Sequence, residues 1–130
     1  MAVNSVHHAD VPIIGVARLT TANTDRDTIA NDVSIVTGSA NGSAIEYFTA
    51  HAAEDLAANG LVFVWYYDGT NNRLRYEFAM ADVTASASVS EADGIWTPPK
   101  PIFVPSGKII KVTFTLSKKL NVFAHGYNLG

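Results

Sequence analysis

The sequence predicts an all-β fold, a jelly-roll-like β-sandwich of eight or nine short antiparallel strands preceded by an extended N-terminal arm. Three observations carry that prediction. Apolar, β-branched and aromatic runs recur along the 130 residues, and clusters of Gly, Pro, Asn, Asp and Ser separate them at regular intervals, with no long helical pattern between. The clearest stretch, Gly60 to Met80 (GLVFVWYYDGTNNRLRYEFAM), sets two such runs around Asp68-Gly69-Thr70-Asn71-Asn72. Those five residues tolerate positive φ or bond to their own backbone, so the stretch reads as a β-hairpin with a loop longer than two residues. Third, four of the five prolines fall between Gly94 and Gly107. Proline removes ladder donors, so this segment lies at a sheet edge or crosses between sheets. Eight strands with a late, proline-bearing crossover favour a jelly roll of two packed sheets.

Met1 to Asp10 is small and polar, without periodicity. Its few large apolar residues (Met1, Val3, Val6) cannot support an independent fold, so residues 1–10 are expected to be an extended arm and residues 11–130 a single domain. His7 and His8 invite a metal reading, but no further ligand stands at a recognisable spacing, which favours a solvated arm or a contact. Val11 to Leu19 is the first strand, with Pro12 at its start, where a missing donor is tolerated. Thr20 to Asn31 is a polar connection. Asp25, Asp27 and Asp32 offer oxygen ligands there, yet the segment lacks the glycine and distal glutamate of an EF-hand loop, which favours a capped turn.

Asp32 to Val36 reads as a short strand, Thr37 to Gly42 as a turn, and Ser43 to Ala53 as the next strand. The tail of that run, around His51, Glu54 and Leu56, has the composition of a helical turn. Ala81 to Asp93 is small, polar and nearly low-complexity, as in an exposed loop or an edge strand. Ile102 to Val104 is a short strand, and Lys108 to Leu116 alternates apolar and polar residues throughout. Ser117-Lys118-Lys119 then turns into Leu120 to Tyr127. A three-residue loop would pair Leu116 with Leu120, Phe114 with Val122 and Val112 with Ala124 as a hairpin.

The facing of the Gly60–Met80 hairpin carries the functional expectation. With an odd-length loop, Tyr67 faces Arg73, Trp65 faces Arg75 and Phe63 faces Glu77. The other face pairs Tyr66 with Leu74, Val64 with Tyr76 and Val62 with Phe78, and is uniformly apolar core. The first face is anomalous, since it sets three aromatics against charged partners where alternation calls for polar residues. Such a row needs a second covering layer, whether from the same chain or from another molecule. A one-residue slip would exchange the faces. Phe63, Trp65, Tyr67, Arg73 and Arg75 are therefore the candidate oligomer or partner interface.

Charged residues make up 16% of the chain against 48% apolar, with a net charge of −3 and no cysteine. No basic patch is available to grip nucleic-acid phosphates. The missing thiols remove disulfides and zinc–thiolate sites, which suits a bacterial cytosolic or virion protein. The first residues lack the basic and apolar regions of a signal peptide, and no apolar run approaches the ~20 residues that span a bilayer, so no membrane partner is expected. Catalytic patterns are equally thin. There is no G-x-S-x-G elbow, no phosphate-binding glycine loop and no obvious pair of inward carboxylates, Glu46 and Glu77 being the only candidates. The expectation is a protein that is not an enzyme and needs no cofactor or metal.

From Trp65 onward the chain resembles small jelly-roll virion proteins of tailed bacteriophages. The features that carry the resemblance are Tyr67-Asp68-Gly69-Thr70-Asn71, the Ala81–Val89 run, Trp96-Thr97-Pro98-Pro99, Val104-Pro105-Ser106-Gly107 and Asn121–Gly126. It covers roughly half the chain and consists of turn and strand patterns. It implies a capsid decoration (cement) protein or another head or tail accessory, often trimeric, located in the virion and made in the bacterial cytoplasm. Its implied partners are the major capsid protein and its own copies, reached through the interface above and through the arm residues Met1, Val3, Val6, His7 and His8. A carbohydrate-binding β-sandwich contacting host glycans, with Trp65, Tyr67 or Trp96 stacking on sugars, is the alternative. An enzyme on a barrel is a third reading and would need clustered inward polar residues.

Overall fold

The computed structural model describes residues 10–130; Met1, Val3, Val6, His7 and His8, expected from the sequence to form a tether, lie outside the described residues. Nine strands follow in chain order: β1 (Val11–Leu19), β2 (Val33–Thr37), β3 (Ser43–Ala52), β4 (Gly60–Tyr67), β5 (Asn72–Met80), β6 (Asp93–Trp96), β7 (Ile102–Val104), β8 (Ile109–Phe114) and β9 (Leu120–Asn128). The antiparallel pairs are nested: β4 with β5, β3 with β6 and β7, β2 with β8, and β1 with β9. That is one long folded ribbon, rolled up. The further pairs β3–β9 and β4–β8 join it into sheet A, ordered β1-β9-β3-β6/β7, and sheet B, ordered β2-β8-β4-β5. A ribbon wound into two facing antiparallel sheets is the jelly roll expected from the sequence.

The core lies between the inner faces, where Phe48, Val122 and Ala124 of sheet A meet Val64, Val112 and Phe114 of sheet B. Pro98, Pro99 and Pro101 sit between β6 and β7, which lie along one side of β3 like a single strand cut in two. The proline-rich segment therefore lies at the edge of sheet A, as proline chemistry requires. At the opposite side, β1 and β2 close on each other. A side chain at Gly15 would put its Cβ 2.1 Å from the Ile35 carbonyl oxygen, at the bulge in β2. Only glycine permits that approach.

Two expectations are corrected. Leu116 to Leu120 is not a hairpin: Ser117–Lys119 carries the chain from sheet B to sheet A, so β8 and β9 face each other across the core. Inward alternation is the same for neighbours within a sheet and for strands in opposed sheets, so the pattern did not separate the two. The segment after His51 forms no helical turn; Leu56 is buried and exchanges two backbone hydrogen bonds of 3.1 Å with Val83. Burial of an apolar anchor overrides local helix propensity here.

Candidate interaction surface

The hairpin pairs as expected over Val62–Phe78, Phe63–Glu77 and Val64–Tyr76, then shifts. Its loop has four residues, Asp68–Asn71, so Tyr67 pairs with Asn72, Tyr66 with Arg73 and Trp65 with Leu74. A bulge that leaves Arg75 without a partner absorbs the difference. The Asp68 carboxylate accepts from the Thr70 and Asn71 amides at 2.8 Å each, and these bonds hold it below the usual carboxylate range.

The aromatic row on the outside of sheet B is covered by the chain itself. Phe63 is 1% exposed and Trp65 0%, so neither is available to a partner. The connection between β1 and β2 crosses this face. Ala22 bridges to Phe114 in parallel, the Asn23 amide donates to the Phe114 carbonyl at 2.8 Å, and Arg26 lies 5.2 Å from the Phe63 ring centroid. Arg26 also grips Glu77 with two hydrogen bonds of 3.0 and 3.1 Å. The Trp65 indole N–H donates to the Thr113 hydroxyl at 3.0 Å, and that hydroxyl also accepts from Asn23 Nδ2 at 3.4 Å. The buried tryptophan thus has its polar partner. Of the five expected interface residues, Tyr67 is half-buried beneath Lys111, whose Nζ stands 4.4 Å from its ring, while Arg73 and Arg75 are exposed.

Sheet A presents the opposite picture. Its outward rows run across the strands as Val16–Phe123–Thr49–Ile95 and Ile14–His125–Tyr47, with Tyr127 and Phe103 beyond. Ile95 is 71% exposed, Ile14 61%, Val16 56% and Phe103 50%. Tyr47 and His125 stack at 4.4 Å with planes 6° apart, and the Thr49 hydroxyl and His125 Nε2 are hydrogen-bonded at 2.9 Å. Beside them a shallow groove is lined by Thr49, His51, Asp93, Ile95 and Phe123. An apolar row flanked by fixed polar groups is the composition of a contact surface. The signal for it was in the sequence: Ile13-Ile14 in β1 and Val122-Phe123 in β9 are apolar on both phases of the strand, so both faces ask for cover.

The remaining candidates are dispersed. Glu46 lies in sheet A and Glu77 in sheet B, where it is committed to Arg26. Asp25 caps a turn by accepting from the Asp27 and Thr28 amides at 2.7 and 3.0 Å, and Asp32 pairs with Lys111 at 3.4 Å. Glu54 accepts from the Lys119 amide at 2.7 Å. Glu91 is hydrogen-bonded to Asp55, and sharing that site pushes the Glu91 carboxyl up. Among the described residues, no three His, Asp or Glu side chains are grouped to hold a metal ion. Of the aromatics proposed to stack on sugars, Trp65 is buried, while Tyr67 and Trp96 are half-buried, Trp96 packing 5.5 Å from Phe78 and 5.2 Å from Tyr76.

No family model and no curated protein sequence matches this chain. Among solved structures, the fold is similar to a chain of the acidic stable capsid structure of Helicobacter pylori bacteriophage KHP30, with a TM-score of 0.54 and 11% sequence identity over 90% of this chain and 87% of that one. The shared feature is the β-sandwich fold, over nearly the full length of both chains.

Proposed function

We propose that this chain is a structural component of a bacteriophage virion: a capsid decoration (cement) protein that binds the major capsid protein and its own copies. The observation that carries the reading is the open apolar face of sheet A on a sandwich whose other aromatic face is already sealed. The likeness to a chain of a phage capsid structure supports it at the level of fold. On this reading the protein is made in the bacterial cytoplasm and resides in the phage head. It does no chemistry, and its contribution is binding alone. A protein that binds only the assembled shell stabilises it by RT ln(1 + [L]/Kd) per site, so modest contacts add up over many sites. The glycan-binding alternative loses Trp65, the only one of its three aromatics that is fully buried.

The test is mass spectrometry of purified virions, with copy number measured against the major capsid protein, followed by heating or osmotic shock of capsids with and without the protein. The expected result is a stoichiometric virion component whose removal releases the genome at lower temperature. Bare capsids that retain their genomes equally well would sink the cement reading. Removing residues 1–10 should weaken attachment; unaltered occupancy on virions would show that the segment is no anchor.

A further inference from the structure

We infer that the outer face of sheet A pairs with the same face of a second copy of this chain, about a two-fold axis that lies in the interface parallel to the strands. The inference rests on the reading of this face as a contact surface and adds the occupant, the symmetry and the partner residues.

The argument comes from the cross-strand rows. An axis parallel to the strands, running between β9 and β3, lays β1 of one copy over β6 of the other and β9 over β3. Each outward row then meets itself in reverse order. The row Arg18–Asn121–His51–Asp93 begins with a cation at one edge of the sheet and ends with an anion at the other. Three strand spacings of about 4.8 Å separate these two charges by roughly 14 Å, too far to pair within one chain. Reversed on itself, the row sets Arg18 against Asp93 of the second copy, and Asp93 against its Arg18. The same operation places Val16 over Ile95, and Phe123 over the small Thr49. Charge and size are thus complementary under one operator, the defining property of an isologous two-fold contact. Stacked sheets keep their strands within about 30° of one another and about 10 Å apart, a displacement the long Arg18 side chain spans.

The area is sufficient. The 35 residues of β1, β9, β3, β6 and β7, at about 3.4 Å each on strands about 4.8 Å apart, give a face on the order of 570 Å². Two such faces bury roughly 1,100 Å², the low end of stable protein interfaces, so the pair is expected to be weak and concentration-dependent. The contact closes with two copies, where the resemblance to phage virion proteins implies three.

The experiment is sedimentation equilibrium of the full chain from micromolar to near-millimolar concentration, on the unaltered protein, on Arg18→Asp, on Asp93→Arg and on the double variant. Both positions are exposed, so the fold should survive, and circular dichroism checks that. The expected result is a monomer–dimer equilibrium weakened at least about tenfold by either single charge reversal, since like charges then face each other twice. The double variant restores it, and an equimolar mixture of the two single variants forms a heterodimer in which both charge pairs are matched. A protein monomeric throughout, a trimer, or single variants that associate like the parent overturns the inference. A chain that is monomeric yet abundant in purified virions refutes the pair and leaves the virion assignment standing; a two-fold pair in solution with no protein in virions does the reverse.

Discussion

The outer faces of the two sheets carry similar aromatic rows and meet opposite fates. On sheet B, Phe63 and Trp65 vanish beneath the connection between β1 and β2. On sheet A, Ile14, Val16 and Ile95 stand in the open beside Phe123 and the Tyr47–His125 stack. Strand alternation reports that a face is apolar, and is silent on what covers it. Cover depends on where a polar connection travels, and the Thr20–Asp32 segment travels across one face only. Asn23, Arg26 and Asp32, polar residues in a polar loop, fasten it.

The sharpest way to break this comparison is truncation of one aromatic or apolar residue on each face. Trp65→Ala removes a fully buried indole and should cost about 3–5 kcal/mol, whereas Ile95→Ala should change stability by less than about 0.5 kcal/mol. Urea unfolding of both variants measures the difference, and equal midpoints would mean the two faces are not distinct. Next in size is Thr113→Val, which keeps the shape but leaves the Trp65 and Asn23 donors buried without an acceptor. A loss of roughly 1–3 kcal/mol is expected, with a shift in tryptophan emission. An unchanged midpoint would show that the cover over sheet B is held by packing alone.

A smaller effect separates fastening by charge from fastening by packing. The Arg26 guanidinium holds the Glu77 carboxyl below its ordinary range, and the Thr28 and Asp27 amides do the same for Asp25. A depressed carboxylate contributes stability above its unfolded pKa, about 4, and that contribution is lost as pH falls through the folded value. Acidification should therefore loosen the cover over sheet B first, seen as rising access of acrylamide to Trp65. Glu77→Gln should flatten that dependence while costing at most about 1 kcal/mol at neutral pH, because the pair is solvent-exposed. Asp55 and Glu91 form an opposed pair. The Ala85 amide, and after it the shared bond to Glu91, lower Asp55, whereas Asp55 raises Glu91, so Glu91 contributes below its unfolded pKa and that contribution fades as pH rises through the folded one. Glu91→Gln should remove the fading arm alone, as read from thermal unfolding across mildly acidic pH.

Much of the fold was legible because the signals were local. Val11–Leu19 is bounded by a proline at its start and a polar connection at its end, and the observed strand has those limits. The jelly roll followed from strand count and proline placement. What escaped was set by geometry that one residue decides. A four-residue loop in place of five, compensated by the bulge at Arg75, is invisible in composition. The pairing of β8 and β9 failed for a different reason: opposed faces and adjacent strands demand the same alternation. For the surface, sequence reasoning required cover over Phe63 and Trp65 but favoured another molecule as its source, whereas the connection between β1 and β2 supplies it. It overlooked β1 and β9, whose doubled apolar phase marks the face that remains open.

The ladder between β1 and β9 places Val11 beside Asn128, so the first strand and the last are neighbours. Time enters through that pairing. Among the described residues the β4–β5 hairpin, joined by four residues, is the one ladder between strands consecutive in the chain, while sheet A must wait for β9. Loop-closure entropy makes such end-to-end pairing slow, and folding of this chain should fall in the range of milliseconds to seconds typical of topologies dominated by distant contacts. Until β9 arrives, β1 and β3 have unpaired sides, and their apolar residues on both phases are open to other chains. A chain that lacked its last nine residues would hold the nucleus of sheet B and could not finish sheet A.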